Sequence, residues 1–333
     1  MELYFLIGAD RSGTTLLSNL LNNHSKIIAT PEQGFLLSYI HSFAGKKELS
    51  DHDLDKIIDN LWIRKSEFSR VWRLNEDSLK ETLLNGERSF ENVFKQILRH
   101  YDPEKKGVSV LVDKNPFYSA EIKLLRKTFP NAKFIGLVRD CRDRFTSQKL
   151  NASKIFSLGL MSWFKWNWYN QSILDLREKY PDQIHLLKYE DLVSAPEGTL
   201  EDLLNFLQLS YEPEMITRQM RAIKIDELSK KDKSFNTLHE HSGNPISSDK
   251  VGYWKNNLSE IELKRITLVN GKIAKFLGYS DFPEINSTEL LGFRIKVKFD
   301  KIKSRLILFL NRKSFALPFS IQRRIVNFFR GTG

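Results

Sequence analysis

Near its start, the chain runs from an apolar segment into a turn that is bounded by two glycines and rich in hydroxyl groups. The turn and the residues just after it contribute Gly8, Arg11, Ser12, Gly13, Thr14 and Thr15. Where such a turn opens a helix, backbone N–H groups and the helix dipole converge on one point, which suits a phosphate-like anion. The glycine spacing is that of the nucleotide P-loop, but the P-loop requires Lys where this chain has Thr14. The cation of the turn is instead Arg11, and this departure points away from ATP and GTP chemistry.

A second group of residues suited to a phosphate follows another apolar run. Arg139 closes a predicted strand, and Ser147 lies about two turns into the predicted helix after it. A guanidinium and a hydroxyl placed in this way can hold one phosphate from two sides. Taken alone, the segment is equally compatible with a solvated loop of Arg–Asp pairs.

The elements that must position these residues alternate along the chain. Short apolar runs predict buried strands at residues 3–8, 108–113, 133–139 and 184–188. Helical patterns are found at residues 13–23, 118–128, 142–153, 160–179 and 258–276, and through most of 34–100. This alternation predicts an α/β fold with a mostly parallel sheet covered on both faces, in which ligands bind at the carboxyl ends of the strands. Residues 230–250 are predicted to form a loop or lid.

Composition limits the class of protein. The chain has 333 residues, of which 41% are hydrophobic and 28% charged, as in an ordinary globular protein. A single cysteine, Cys141, excludes a disulfide framework and a cysteine-based metal site, and the seven histidines show no metal-ligand spacing. The acidic second residue and the short first apolar run predict a strand and not a signal peptide. Because no apolar run has transmembrane length, we expect a cytoplasmic protein.

The basic character of the chain is concentrated at its end. Residues 290–333 contain eleven Lys or Arg and one acid, Asp300, whereas the rest of the chain is almost neutral. This segment is also rich in Phe, Leu and Ile, and Pro318 predicts that it forms two short helices. We therefore expect a domain at 1–288 and a helical, basic, amphipathic C-terminal extension at 289–333. The extension could lie on the inner face of a membrane, or it could dock on the body or on a dimer partner. Nucleic-acid binding is the weakest reading.

Together, the two anion motifs resemble those of the sulfotransferases that use 3′-phosphoadenosine-5′-phosphosulfate (PAPS), and the resemblance covers residues 3–278. It implies a P-loop-type three-layer α/β/α fold. In that family the first motif, here Arg11 to Thr15, binds the 5′-phosphosulfate. The second, here Arg139 and Ser147, binds the 3′-phosphate that distinguishes PAPS from ATP. The motifs fit best the branch of the protein-tyrosine sulfotransferases and their bacterial relatives.

Further segments match that branch. The resemblance implies that Glu32 is the catalytic base, that Lys114 faces the transferred group and that Tyr189 lies near the nucleotide. It also implies that the stretch from Ser247 to Lys255, with Ser248, closes over the 3′-phosphate. One position departs from the family, because Asn151 stands where tyrosine sulfotransferases have a second basic residue beyond the serine. The hold on the 3′-phosphate could therefore be looser or be supplied by another residue.

These residue types suit sulfuryl transfer. The sulfuryl group carries less negative charge than a phosphoryl group, so fixed cations and N–H donors can stabilise its transfer without a metal ion. Glu32 would accept the proton of an attacking hydroxyl, while Arg11 and Lys114 offset charge on the sulfonate and the leaving oxygen. We therefore expect PAPS as co-substrate and no metal.

Other readings stay open at this point. Glu32 could be a surface acid, Lys114 a solvated turn residue and Tyr189 a core aromatic. The chain could also be a P-loop nucleotide-binding protein or kinase, or an inactive membrane-associated scaffold. For a sulfotransferase, the acceptor could be a carbohydrate, a lipid-linked hydroxyl or a peptide. Residues 33–105 would form much of its pocket, with Phe35, Tyr39, Phe43, Trp62, Phe68 and Trp72.

Overall fold

A computed structural model gives the fold. It describes residues 1–61, 72, 74–151, 160–217, 246–286 and 288–331, with only the backbone at 151, 160 and 326–331. Within these residues one sheet is formed by β1 (Glu2–Gly8), β2 (Ile27–Ala29), β3 (Val110–Lys114), β4 (Lys133–Val138) and β5 (Ile184–Lys188). The strand order is β2-β3-β1-β4-β5, and every neighbouring pair is parallel. The predicted α/β fold is confirmed, and this sheet is wholly parallel.

Helices follow or precede each strand. The first group is α1 (Thr14–Asn23), α2 (Leu36–Phe43), α3 (Asp51–Asp59), α4 (Glu76–Asn85), α5 (Phe90–Arg99), α6 (Ile122–Thr128) and α7 (Cys141–Asn151). The second group is α8 (Leu160–Lys179), α9 (Tyr189–Ser194), α10 (Pro196–Phe206), α11 (Glu214–Thr217), α12 (Glu260–Phe276), α13 (Leu291–Ser314) and α14 (Phe319–Gly331). Short 3-10 helices span Pro116–Ala120, Pro181–Gln183 and Tyr253–Asn256.

The central strand shows why the sheet is buried on both faces. Phe5 and Ile7 of β1 enter one hydrophobic core, with helices α3, α5 and α8, whereas Tyr4 and Leu6 enter a second core with α1, α9 and α10. Alternate residues of a strand point to opposite faces, so the uniformly apolar run of β1 needs a layer of helices on each side. The result is the predicted three-layer arrangement.

Local sequence signals explain most helix boundaries. The Ser50 side chain accepts a hydrogen bond from the Asp53 backbone N–H and caps α3, and Ser259 caps α12 in the same way through Glu262. The predicted helix at 118–128 is shorter than expected, because the 3-10 helix that starts at Pro116 occupies its beginning. Most of the predicted lid at 230–250 lies outside the described residues.

The C-terminal extension forms two helices, α13 and α14, separated at Pro318 as predicted, although α13 is long. Their junction packs on the body. The Phe315 ring lies 5.5 Å from the Phe117 ring, and the Phe319 ring lies 6.1 Å from that of Tyr39. In the described part of the chain, no helix combines the length and the apolar character needed to cross a bilayer.

Candidate functional site

The first anion motif lies at the carboxyl end of β1, the strand at the centre of the sheet. Gly13 is the N-cap of α1 and has a φ of 93°, in the left-handed region that favours glycine. A Cβ atom on Gly13 would also lie 2.5 Å from Cδ2 of Tyr189. As a glycine it has no side chain to cap the helix, and the first turn of α1 contains no acid. The amino end of α1 is therefore electropositive and favours an anionic ligand.

The turn is anchored by a buried arginine that sequence reasoning did not assign. The Arg144 side chain is 1% exposed, and its Nη2 atom lies 2.7 Å from Oδ2 of Asp10. Its Nε atom donates to the Asp10 carbonyl oxygen. Because α7 supplies Arg144, the helix after β4 fixes the backbone of the turn after β1.

Arg11 and Arg139, the cations of the two predicted anion motifs, lie in contact. Arg139 Nη1 donates to the Arg11 carbonyl oxygen at 3.1 Å, and Arg11 Nη2 donates to Ser147 Oγ at 3.4 Å. The Arg139 guanidinium also stacks 4.0 Å above the Tyr189 ring. The structure thus brings Arg11, Arg139, Ser147 and Tyr189 to one edge of the sheet, close enough for one nucleotide to bridge them.

A third cation, Lys250, joins this cluster and was missed in the sequence. Its carbonyl oxygen accepts a hydrogen bond of 2.9 Å from Arg139 Nη2. Burial, together with the charges of Arg139 and Arg11, lowers the pKa of the Lys250 ammonium. Burial and the Arg139 charge likewise lower the pKa of Arg11. Cations that disfavour one another's charge are stabilised when an anion binds between them.

Two buried polar atoms in the same region are suited to donate hydrogen bonds to a ligand. Ser12 Oγ and Arg139 Nε have no hydrogen-bond partner among the described residues. Buried hydrogen-bonding groups are rarely left without a partner, because each one costs about 1–3 kcal/mol. A phosphate or sulfonate oxygen would accept from both groups, so the residues present fit an anionic nucleotide.

The acidic residues of the second motif, Asp140 and Asp143, fix the segment that contains Gly252 and Trp254 beside this cluster. Asp143 accepts hydrogen bonds of 2.8 Å from the backbone N–H groups of Gly252 and Trp254, and burial raises its pKa. Arg142 pairs with Asp140 at 2.7 Å and stacks 4.0 Å from the Trp254 ring. The segment that carries Lys250 is thereby attached to α7.

Ser248 and Lys255, the residues predicted in that segment, are both exposed. The Ser248 carbonyl oxygen accepts from Val251 N, and Lys255 Nζ lies 5.9 Å from the Trp254 ring. The segment's direct contact with Arg139 comes instead from Lys250. The side chain of Asn151 is outside the described residues.

Glu32 and Lys114 lie together beside the first motif. Lys114 ends β3 and is 2% exposed, and its Nζ atom lies 3.5 Å from Glu32 Oε2. The same Nζ atom lies 3.5 Å from Thr15 Oγ1 at the start of α1. The Glu32 side chain is 36% exposed, so an acceptor can approach it from solvent, whether it is a small molecule or a group on another protein. The structure thus excludes a solvated Lys114 and gives it two polar neighbours.

A buried hydrogen-bond network supports this pair. Asp113 accepts hydrogen bonds from Tyr118 OH at 2.6 Å and from Gln33 Nε2 at 2.8 Å. Asn115 Nδ2 donates to the Gln33 carbonyl oxygen at 2.7 Å. Burial raises the pKa of Asp113 to about 6. Since Gln33 follows Glu32 in the chain, the network fixes the backbone that carries the Glu32 side chain.

A small cavity of about 70 Å³ is lined in part by Gln33 and Asn115, which follow Glu32 and Lys114 in the chain. Its lining consists of Gln33, Gly34, Leu36, Leu37, Asn115, Phe117, Tyr118 and Phe315. The aromatic residues predicted for an acceptor pocket are located differently. Phe35, Tyr39, Phe43 and Trp72 are buried in the hydrophobic core, and Trp62 and Phe68 lie outside the described residues. The aromatic pattern at 35–43 therefore reflects core packing of α2.

Comparisons with known proteins point to one family. Residues 4–213 match the family described as the sulfotransferase family. Protein-tyrosine sulfotransferase 1 of Danio rerio is 24% identical over 290 residues, which cover 84% of this chain and 72% of that protein. Its counterpart in Homo sapiens is 26% identical over 290 residues, with coverage of 85% and 70%.

Two solved structures share the fold. The sulfotransferase domain from the curacin biosynthetic pathway gives a TM-score of 0.55 at 24% identity, covering 85% of this chain and 99% of that domain. The domain from the Synechococcus PCC 7002 olefin synthase gives 0.56 at 20% identity, covering 85% and 96%. The family match extends over more than half of the sequence, and this chain belongs to the sulfotransferase family.

Proposed function

We propose that this protein transfers the sulfuryl group of PAPS to the hydroxyl group of an acceptor. The observation that carries the proposal is the juxtaposition of the Arg11–Arg139–Lys250 cluster with the Lys114–Glu32 pair at one edge of the sheet. The cluster suits a nucleotide with anionic groups at two positions. The pair supplies a cation and a base next to it.

Different residues would bind the two anionic ends of the nucleotide. Ser12, Gly13, Thr14 and Thr15 would hold the 5′-phosphosulfate at the amino end of α1, with Arg11 beside them. Arg139 and Ser147 would hold the 3′-phosphate, with Lys250 in addition to the predicted Ser248 and Lys255. Tyr189, packed against Gly13 and Arg139, would keep these two anion sites at a fixed separation.

Glu32 is the proposed general base. Its carboxylate would accept the proton of the acceptor hydroxyl as the oxygen attacks sulfur, with PAPS as donor of the sulfuryl group. The Lys114 ammonium, held between Glu32 and Thr15, would offset the charge that develops on the leaving phosphate oxygen. Arg11 would do the same for the sulfonate.

The acceptor is proposed to be a carbohydrate, a lipid-linked hydroxyl or a peptide hydroxyl. We also propose a catalytic domain at residues 1–288, an extension at 289–333, and a location in the cytoplasm with access to the inner face of the membrane. The basic extension supports that location, since its charge suits an anionic surface.

Ligand-induced stabilisation tests the donor. We expect 3′,5′-ADP to raise the melting temperature of the full chain more than 5′-ADP does, because only the first places a phosphate between Arg139 and Ser147. Stabilisation by ATP with Mg²⁺ but not by 3′,5′-ADP would instead favour a nucleotide-binding protein or kinase. Labelled PAPS incubated with an extract of the source cells then identifies the acceptor through its labelled product, and binding without any transfer would favour an inactive scaffold.

A further inference from the structure

Helix α13 presents apolar side chains on two opposite faces. One face packs on the body: Ser304 is 3% exposed, and the Phe293 ring lies 6.2 Å from the Trp163 ring of α8. Val297 packs against the same core cluster. This face accounts for how α13 is attached, but it leaves most of the large apolar residues of the helix on the other side.

The opposite face forms what we call the outer stripe. Its members are Leu291, Ile295, Phe299, Ile302, Leu306, Phe309 and Leu310, each between 51% and 70% exposed. Spacings of three and four residues place them in one line along the helix. A continuous line of large exposed apolar side chains marks an interaction surface, whereas single exposed ones do not.

Lysines border the outer stripe on both sides. At 3.6 residues per turn, Lys298 and Lys301 lie along one border, and Lys296 and Lys303 lie along the other. All four side chains are exposed. The single acid of α13, Asp300, lies away from the centre of the stripe. The helix therefore combines an apolar line with two flanking rows of positive charge.

We infer that α13 lies flat on an anionic lipid bilayer, with the outer stripe in the boundary between headgroups and acyl chains. The bordering lysines can extend their ammonium groups to the phosphates of the headgroups while their methylene stems cover apolar surface. This partner satisfies both the apolar and the charged features of the helix. The inference deepens the proposed access to a membrane, but it does not depend on sulfuryl transfer.

The alternative occupants fit less well. Two copies of the chain that paired through the outer stripe would bring lysine rows of like charge together along the helix, which is unfavourable. The body of the same chain is already in contact with the Phe293 and Ser304 face, so it cannot cover the opposite one. A bilayer supplies negative charge along the full length of both borders.

Vesicle co-sedimentation of the full chain tests the inference. We expect binding to phosphatidylcholine vesicles that contain phosphatidylglycerol, and weaker binding as salt is added. The double variant Phe299→Ser/Ile302→Ser should weaken this binding by at least about tenfold, because two side chains leave the apolar boundary. Lys298→Glu/Lys303→Glu, with one change on each border, should abolish the preference for the anionic lipid.

A matched variant controls for the loss of apolar side chains. Phe276 and Ile261 of α12 are 76% and 43% exposed, so Phe276→Ser/Ile261→Ser removes the same residue types outside α13. It should bind vesicles as the unmodified chain does. Equal loss in both double variants, or equal binding to vesicles without phosphatidylglycerol, would overturn the inference. The inference would also be overturned if the unmodified chain bound no vesicles and instead formed concentration-dependent dimers that the Phe299→Ser/Ile302→Ser variant did not form. All these readouts are independent of PAPS.

Discussion

At the scale of single residues, the site depends on charges that the fold keeps close together. The Arg139 guanidinium donates hydrogen bonds to the carbonyl oxygens of Arg11 and Lys250. Burial and the charge of Arg139 also lower the pKa of both the Arg11 and the Lys250 side chains, so three cations lie close together at one edge of the sheet. Lys114 is buried between Glu32 and Thr15 on the neighbouring strand. The proposed function gives nucleotide binding to the first group of side chains and the chemical step to Lys114 and Glu32, and substitutions should separate the two.

Glu32→Gln should reduce sulfuryl transfer by about 10²–10⁴-fold, because the amide cannot accept the acceptor's proton. Binding of 3′,5′-ADP should persist, since Glu32 lies outside the cation cluster. The measurement is the initial rate with labelled PAPS and the acceptor identified from cell extract, alongside calorimetric binding of 3′,5′-ADP. Full turnover in this variant would rule out Glu32 as the base.

Lys114→Met should also abolish transfer, while it keeps most of the buried apolar stem of the lysine. The loss arises from a missing positive charge beside Thr15 and Glu32, so it should not be recovered at higher pH. The rate is measured between pH 6 and 9 at saturating donor. Arg126→Ala is a suitable control, because Arg126 contacts Gln183 and the Tyr180 ring away from the site. A Lys114→Met enzyme with unchanged rate would exclude this lysine from the reaction.

Asp113 should make stability depend on pH. Burial raises its pKa to about 6, so between about pH 4 and 6 the folded chain holds a proton that the unfolded chain has lost. Its contribution to the free energy of unfolding therefore falls as pH rises through this range, by about 2–3 kcal/mol. Urea unfolding at pH 4.5 and 7 should show a smaller decrease for Asp113→Asn than for the unmodified chain. Equal decreases would show that Asp113 does not titrate in this window.

At the scale of elements, the junction of β1 and α1 is the most constrained part of the site. Gly13→Ala would need a left-handed φ that costs about 1–2 kcal/mol, and its Cβ would meet the Tyr189 ring at 2.5 Å. We expect a lower melting temperature and weaker binding of 3′,5′-ADP. Gly45→Ala is the matched control, because its Cβ would meet nothing within 4 Å. If both variants behaved alike, the tight packing of Gly13 would not matter for the site.

Elements with strong local signals could be predicted from the sequence, and those set by tertiary contacts could not. In α5 the apolar residues recur at the three- and four-residue spacing of a helix, and all of them are buried: Phe90, Val93, Phe94, Ile97 and Leu98. The strand β2 was missed, because its three residues give no period and are defined only by pairing with β3. The start of α6 was misplaced, since Pro116 favours a 3-10 helix before it.

The site residues also differ in this way: some belong to local sequence motifs, and one is placed only by tertiary contacts. Arg11, Arg139, Lys114 and Glu32 came from short motifs, and the structure brings them to one edge of the sheet. Lys250 gave no local signal, because its approach to Arg139 depends on the hydrogen bonds that Asp143 makes with the distant residues Gly252 and Trp254.

At the scale of the whole molecule, the extension should stabilise the body as well as carry α13. Phe315 is 8% exposed and Gln322 is 1% exposed, and Gln322 Oε1 accepts a hydrogen bond of 2.7 Å from Ser38 in α2. The Phe319 ring lies 6.0 Å from that of Phe43. Removal of residues 289–333 would expose this part of α2 to water and leave Ser38 without its partner.

A chain that ends at residue 288 should therefore unfold at a lower temperature than the full chain. Burying a Phe side chain contributes about 1.5–3 kcal/mol, and two such side chains, Phe315 and Phe319, leave the body together. Thermal unfolding of the two chains measures the difference, with full-length Phe299→Ser as control, because Phe299 is 70% exposed and should not change it. An unchanged melting temperature would mean that α13 and α14 add nothing to the body. A lower melting temperature of the truncated chain means that membrane binding has to be tested with substitutions in the outer stripe, because truncation would alter the body as well.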